Sequence, residues 1–163
     1  LENGKKLLSP SHKLVKQDQQ LYISKLNTEN QEIIFESKEM LRQSKTGLQI
    51  QTEDCTLPKD WTIHLNEDSI QFPLTLRTWQ AGDVFYPEGM RGKKKVNAFF
   101  RDLKMSILEK ENQLILTDKN HILWIVSRRK DSRALAKESD KKQLHLVFKN
   151  QIQFLSSKKK DAL

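Results

Sequence analysis

Apolar and polar residues alternate along most of the chain, and a period of two predicts β-strands with one buried face. In one such segment, Trp61, Ile63 and Leu65 alternate with polar residues. Comparable short runs lie at 21–26, 32–36, 47–52, 74–78, 114–116 and 144–148. The run 122–126 is continuously apolar, which is typical of a central strand that is covered on both faces. The pattern therefore predicts a chain built mainly of strands.

One segment has the period of a helix instead. From Val96 to Leu103, apolar residues recur at i, i+3, i+4 and i+7, so they lie on one face. This spacing predicts an amphipathic helix over about 96–105, with Phe99 and Phe100 in the core. A weaker pattern indicates a second helix over about 37–43. The predicted fold class is α+β and β-rich, with mixed or antiparallel sheets.

The composition changes near residues 54–60, an acidic loop that contains a proline. We interpret this change as a boundary between a β-rich connecting segment (1–68) and a C-terminal domain (69–150). A basic tail (151–163) follows. Because the first dozen residues carry no pattern that is typical of the start of a domain, we expect the chain to be a fragment of a longer protein.

The composition indicates a globular protein, since 36% of the 163 residues are hydrophobic and 31% are charged. Cys55 is the one cysteine, so an internal disulfide is excluded and a reducing, cytoplasmic location is expected. No apolar run is long enough for a membrane span, and we expect no membrane partner. The net charge of +8 favours a polyanionic partner, although a merely basic surface is an equal alternative.

Two segments concentrate the positive charge. Residues 77–104 and 127–142 each contain seven Lys or Arg against three Asp or Glu. In the first segment, a loop rich in glycine precedes three consecutive lysines and the predicted helix. Exposed backbone at glycines, lysine charge and a helix N-terminus together suit a phosphate group. The candidate RNA contacts are Arg77, Lys93, Lys94, Lys95, Arg101, Lys104, Arg128, Arg129 and Arg133.

Residues other than lysine and arginine give few candidates for a functional site. Tyr86 is a candidate for stacking on a base, whereas Trp79 and Phe85 are expected in the core. Asp83 is expected to bond the backbone of its own turn. The histidines stand singly, and no nucleophile motif or P-loop is present, so no catalytic or metal-binding residue is predicted. Solvation alone explains the charges at 137–142.

An ordered series of motifs resembles the C-terminal part of bacterial tRNA(Ile)-lysidine synthetases. The series comprises Pro73–Trp79, Gly82–Pro87, Gly89-Met90, Gly92–Val96, Phe99–Lys104 and Ile122–Val126, followed by Arg129, Asp131 and Arg133. With the segment that begins at Gly4, the resemblance spans about residues 4–148. One departure is Ser127, which stands where the family usually has glycine.

The resemblance implies a parent enzyme that uses ATP, with magnesium, to activate the wobble cytidine of tRNA(Ile), after which lysine forms lysidine. The family's catalytic centre is an N-terminal PP-loop domain whose motif is absent from this chain, so no cofactor is expected here. The C-terminal region is expected to hold tRNA. Its fold is expected to resemble a domain of the phenylalanyl-tRNA synthetase β subunit. The expected partners are tRNA(Ile) and the parent's N-terminal domains, and a homodimer is left open.

A different class of function also fits the sequence. In this alternative the chain is a structural or protein-interaction module that packs on other domains or on a second subunit, and its lysines only aid solubility. A free-standing enzyme would require turnover by the fragment alone. Binding of tRNA by the isolated chain would discriminate between these alternatives.

Overall fold

A computed structural model describes residues 2, 5–17, 19–25, 32–51 and 57–149. The expectations for Cys55 and for the tail 151–163 lie outside these described residues. The strands are β1 (Lys6–Leu8), β2 (His12–Gln17), β3 (Gln20–Lys25), β4 (Ile33–Phe35), β5 (Leu48–Ile50), β6 (Thr62–Asn66), β7 (Leu74–Thr78), β8 (Val84–Phe85), β9 (Lys94–Lys95), β10 (Leu114–Thr117), β11 (Ile122–Ile125), β12 (Arg129–Lys130) and β13 (Gln143–Phe148). The helices are α1 (Lys38–Gln43), α2 (Val96–Asp102) and α3 (Ile107–Asn112), with 3₁₀ turns at Lys59–Trp61 and Glu67–Ser69.

The strands form four sheets, and each pair of neighbouring strands is antiparallel. The largest sheet has the order β12-β11-β10-β7-β4. Two sheets have three strands, β5-β13-β6 and β1-β2-β3, and β8 pairs with β9 in a hairpin. The predicted β-rich fold class is therefore confirmed. The prediction left mixed and antiparallel sheets open, and all neighbouring strands among the described residues are antiparallel.

The five-stranded sheet is covered on both faces. Leu116 and Trp124 pack into a cluster shared with the β5-β13-β6 sheet and α1, whereas Ile115 and Ile125 pack against α2 and β8. All four residues of β11 are buried, so the predicted double coverage of this strand is confirmed. β11 is an interior strand of this sheet, but it is not the middle strand, because its outer neighbour is the short edge strand β12.

Helix α2 buries three apolar residues and ends earlier than predicted. Val96, Phe99 and Phe100 are buried, as the spacing indicates. The helix stops at Asp102, and Leu103, the fourth residue of the predicted face, is 44% exposed. The buried face therefore covers two turns of helix rather than three.

The end of α2 is a Schellman motif. The Met105 N–H donates to the Phe100 carbonyl at 3.0 Å, and the Lys104 N–H donates to the Arg101 carbonyl at 2.9 Å. Such a motif requires a left-handed residue just after the helix, usually glycine. Lys104 takes this position with φ of 52°. Met105 then turns into the core beside Phe100 and replaces the predicted contribution of Leu103.

Helix α3 is absent from the predicted elements. Its start is a capping box, in which the Glu109 N–H donates to Ser106 Oγ and the Ser106 N–H donates to the Glu109 carboxylate. The spacing Ser-x-x-Glu is the sequence signature of such a start. That signal is present at residues 106–109. A helix of only six residues is too short to show a hydrophobic periodicity that would confirm the signal.

The β1-β2-β3 sheet has one packed face and one open face. On the packed face, Val15 is buried, and Lys6 and Lys13 both form ion pairs with Glu111 of α3. On the other side, Leu7, Leu14 and Ile23 are cross-strand neighbours, and Leu21 lies beside them. We call these four residues the outer aliphatic face. Leu7, Leu21 and Ile23 are 55%, 60% and 69% exposed.

Strands from the first part of the chain also complete sheets of the second part. β4 pairs with β7, and β5 and β6 flank β13. The cluster between the two larger sheets draws on both parts, for example on Ile63 and Leu146. The division of the chain near residue 68 stays a prediction, and any domain over 69–150 has to include these pairings.

Candidate functional site

The glycine-rich loop is the connection between β8 and β9. Val84 pairs with Lys95, and Phe85 pairs with Lys94, so the loop 86–93 projects from a short hairpin. Gly89 and Gly92 have φ of 77° and 80°, in the left-handed region that favours glycine. A Cβ atom at either position would meet nothing within 4 Å. Glycine is therefore needed for the backbone conformation, and the surface over both residues is open.

One buried carboxylate joins the two basic segments. Asp131 is fully buried and accepts a hydrogen bond from the Tyr86 N–H at 2.8 Å. Two backbone bonds run alongside it, from the Glu88 N–H to the Lys130 carbonyl (2.9 Å) and from the Ser132 N–H to the Tyr86 carbonyl (2.8 Å). The loop from the first segment therefore lies directly against β12 and the turn after it.

Arg133 completes this junction. Its Nε and Nη2 donate to the two oxygens of Asp131 at 2.9 and 2.8 Å, in a bidentate arrangement. Its Cζ lies 4.4 Å from the centroid of the Tyr86 ring, a cation–π contact. Hydrogen bonds to Asp131, followed by the negative charge of that carboxylate, raise the pKa of Arg133 further above its usual range. Arg133 is thus charged and fixed in orientation.

The three consecutive lysines differ in their environments. Lys94 is ion-paired with Asp102, and its ammonium lies 6.0 Å from the centre of the Phe99 ring. Lys95 points to the opposite face because side chains alternate along a strand. Lys93 and Lys95 are exposed and have no acidic partner among the described residues. The Lys94–Asp102 pair also brings β9 beside the last turn of α2.

The Arg77 side chain is mostly buried and forms an ion pair. Its Nη1 and Nη2 donate to the two oxygens of Asp83 at 3.0 and 2.9 Å, and the two side chains are 15% and 12% exposed. Asp83 also accepts from the Gln80 N–H at 2.6 Å, so the predicted backbone bond within its own turn is confirmed. The pair lines an open cleft of about 300 Å³. Asp118 and His121, which contact each other at 3.2 Å, also line this cleft.

Arg128 belongs to the structural framework around α3. Its Nε donates to Gln113 Oε1 at 3.3 Å, and its Nη2 donates to Glu109 Oε1 at 3.4 Å. The capping bond from the Ser106 backbone, with the Arg128 charge as a smaller cause, lowers the pKa of Glu109. Arg128 therefore ties the turn after β11 to the start of α3.

Five of the nine predicted contacts are exposed and have no acidic partner among the described residues. They are Lys93, Lys95, Arg101, Lys104 and Arg129. The other four, Arg77, Lys94, Arg128 and Arg133, are engaged by carboxylates as described above. Arg91 is also exposed and has no acidic partner among the described residues. Arg91 lies between Gly89 and Gly92 and was not among the predicted RNA contacts. Its position in a basic, glycine-rich loop would have been sufficient to predict it.

The histidines of β6 and β13 form a stacked pair. The rings of His64 and His145 have centroids 4.1 Å apart and planes 7° from parallel. They are directly opposite each other in the sheet. Partial burial, followed by the charges of His145 and Lys130, lowers the pKa of His64 below 6.5. These two histidines stand singly in the sequence, and the fold brings them together.

The described residues contain no group of three or more His, Cys, Asp or Glu side chains placed to hold a metal ion. None of their helices has the length and apolar character needed to cross a membrane.

Comparison with solved structures first places the fold in a class. The chain is similar to a structure described as "Crystal structure of TILS C-terminal domain", with a TM-score of 0.50, 18% identity and 91% coverage of each chain. At this identity the likeness shows the fold alone. The fold is thus that of a β-rich C-terminal domain.

Comparison with protein families then gives a more specific match. Residues 74–146 match the model of the TilS substrate C-terminal domain. The resemblance found in the sequence motifs is therefore confirmed. The family match covers the glycine-rich loop, α2 and the turn with Asp131, which are the parts that form the candidate site.

Curated relatives agree with this assignment. The chain is 36% identical over 153 residues to the tRNA(Ile)-lysidine synthase of Parabacteroides distasonis, and 30% identical over 145 residues to that of Bacteroides thetaiotaomicron. A shorter match of 66 residues to the Bacillus subtilis enzyme is 42% identical. The chain spans about a third of the first two relatives, 35% and 32% of their lengths.

Proposed function

We propose that this chain is the tRNA-binding C-terminal module of a longer tRNA(Ile)-lysidine synthase. The observation that carries the proposal is a group of six exposed cations, none of which has an acidic partner among the described residues. They lie on the loop 86–93, on β9, at the end of α2 and on β12. We call Arg91, Lys93, Lys95, Arg101, Lys104 and Arg129 the open cations.

Three features support a phosphate ligand for this surface. The contact between the loop 86–93 and the turn after β12 places charges from both basic segments in one region. Phosphate contacts position an RNA without reading its bases, which suits lysines and arginines on a rigid support. The left-handed glycines leave the backbone of the loop open to a bulky polyanion.

The paired cations have a different role in this proposal. Arg77, Lys94, Arg128 and Arg133 hold acidic side chains and neighbouring elements in place. An ion pair removes much of the attraction of a cation for a distant phosphate. These four residues of the predicted set therefore make no direct phosphate contacts, which are made by the open cations.

The chemistry of the whole protein is assigned to parts outside this chain. The described residues offer no metal-binding cluster, and the glycine-rich loop lacks the P-loop spacing, so no site for ATP with magnesium is assigned to them. No catalytic step is assigned to any residue here. We place the ATP-dependent formation of lysidine in the parent's N-terminal domains, and the parent in the cytoplasm, where tRNA is modified.

The test is binding of tRNA by the isolated chain. We expect the chain to retard tRNA(Ile) in a gel at moderate salt, and heparin to compete, since most of the binding energy comes from phosphate contacts. A variant with Lys93, Lys95 and Lys104 all changed to Gln should bind much more weakly. Absence of a complex even at low salt would refute the proposed function.

The outer aliphatic face supports a second candidate function, a docking surface for another domain of the parent. Exposed aliphatic side chains in adjacent strands are typical of a protein contact. The relatives have about two thirds of their length outside the matched region, which supplies the partner. If this is correct, Ile23→Lys in the full-length parent should separate this module from the remainder in limited proteolysis. If the partner is instead a second copy of the chain, sedimentation should show dimers, and Ile23→Lys should abolish them.

A further inference from the structure

We propose that Tyr86 and Arg133 form a stacking platform for one unpaired nucleobase of the RNA. The inference rests on the proposed function and adds a contact of a different kind. The open cations bind phosphates and do not distinguish paired from unpaired nucleotides. A stacking platform would favour RNA that offers a free base, at a single-stranded end or in a loop.

The first step of the argument is the rigidity of the guanidinium. Two hydrogen bonds, of 2.9 and 2.8 Å, fix its plane against the Asp131 carboxylate. The same carboxylate accepts from the backbone N–H groups of Tyr86 and Arg133, at 2.8 and 2.9 Å. All four donors converge on one fully buried side chain. The orientation of the guanidinium is therefore set before any ligand arrives, so binding costs little conformational entropy.

The second step is the composition of the platform. Arg133 Cζ lies 4.4 Å from the Tyr86 ring centroid, so the ring supports one side of the guanidinium. The Arg133 side chain is still 37% exposed despite its ion pair. Nucleobases stack on guanidinium planes as well as on aromatic rings, and this mode is common for unpaired bases of RNA. The exposed part of Arg133 is thus suited to take a base.

The third step is the location. Arg129 is exposed on β12, two residues before Asp131, and Arg91 lies in the loop that begins at Tyr86. Both are open cations, and they flank the platform along the chain. A nucleotide whose base stacks on Arg133 would have cations nearby for its phosphates. Stacking and phosphate binding would then act on the same strand.

The experiment compares two RNA hairpins with the same stem, one blunt and one with a short unpaired overhang that carries 2-aminopurine. Affinities are measured by fluorescence anisotropy. We expect the wild-type chain to bind the overhang RNA roughly tenfold more tightly than the blunt RNA. We also expect quenching of the 2-aminopurine on binding, because the base becomes stacked.

Matched variants separate stacking from charge and from folding. Arg133→Lys keeps the charge but loses the plane, and should bring the ratio of the two affinities close to one. Tyr86→Phe keeps the ring and should preserve the ratio. Arg42→Lys is the control, because this exposed side chain on α1 keeps its charge and belongs neither to the platform nor to the open cations.

The possible failures are distinguishable. If Arg133 only stabilises the fold, Arg133→Lys lowers both affinities equally and leaves their ratio unchanged, which overturns the platform. Equal binding of both hairpins by the wild-type chain also overturns it, while the proposed tRNA-binding function stands. Binding of neither hairpin at low salt refutes both proposals.

Discussion

The difference between neighbouring lysines gives a quantitative test of how this surface binds RNA. In the double variant Lys93→Gln/Lys95→Gln, two open cations are replaced by uncharged polar side chains. The residue between them, Lys94, is ion-paired with Asp102 and serves as an internal comparison. All three residues are consecutive and lie just before α2, so differences between the variants report on pairing and exposure.

The expected magnitude follows from counterion release. Each phosphate contact contributes about 0.7–0.9 to the slope of log K against log salt concentration. Two lost contacts should therefore reduce the slope by about 1.4–1.8. Over a fourfold rise in salt, the wild-type chain should lose about seven to twelve times more affinity than the double variant. Lys94→Gln should leave the slope nearly unchanged, because a paired lysine contacts no phosphate in this account.

The assay is filter binding of tRNA(Ile) over a salt series. Lys137→Gln/Lys141→Gln is the charge-matched control, since it removes the same formal charge from an exposed segment assigned to solvation alone. Thermal melts should show all three variants folded, because exposed side chains of this kind change stability little. Equal slopes for the wild-type chain and the Lys93/Lys95 variant would refute the reasoning. Equal slope losses in all three variants would show that only total charge matters.

Three further predictions concern strain and pH. Lys104→Gly removes a left-handed lysine from the end of α2, so we expect a gain of about 1 kcal/mol in the free energy of unfolding. The same variant should have a lower salt slope for tRNA, and a loss of stability would contradict the Schellman geometry. Ser127→Gly relieves φ of 58° and removes a buried hydroxyl that has no partner among the described residues. It should raise Tm by about 2–4 °C in calorimetry, and no rise would count against this source of strain. The lowered pKa of His64 means that the unfolded chain binds more protons just below pH 6.5, so stability should fall as pH drops through that region. Denaturant titrations at several pH values should show a weaker fall for His64→Gln, whereas an identical profile would exclude the His64–His145 pair as its cause.

The sequence predicted most of the local structure because periodicity is a local signal. Alternation marked β6 and β7, and the apolar run marked β11, within one or two residues. Helix α2 was predicted from its spacing, although its end was placed too late. The end depends on the left-handed Lys104, and a lysine gives no sign of that conformation.

The arrangement of the sheets could not be predicted in the same way. β13 pairs with β5 and β6, which are distant in the sequence, and no local pattern specifies such partners. In the same way, no local pattern shows which charged side chains form ion pairs. The contact of Arg128 with Glu109 and the role of Asp131 between two segments depend on the tertiary fold. The sequence therefore identified the basic segments but could not separate open cations from paired ones.

The central claim is that the open cations of the glycine-rich loop, α2 and β12 are the surface that contacts tRNA. Hydrogen–deuterium exchange of the chain, with and without tRNA(Ile), tests it most directly. We predict slower exchange on tRNA binding in residues 86–95 and 128–133, and unchanged exchange in residues 137–142. Protection confined to the outer aliphatic face, or no protection at saturating tRNA, would contradict the account.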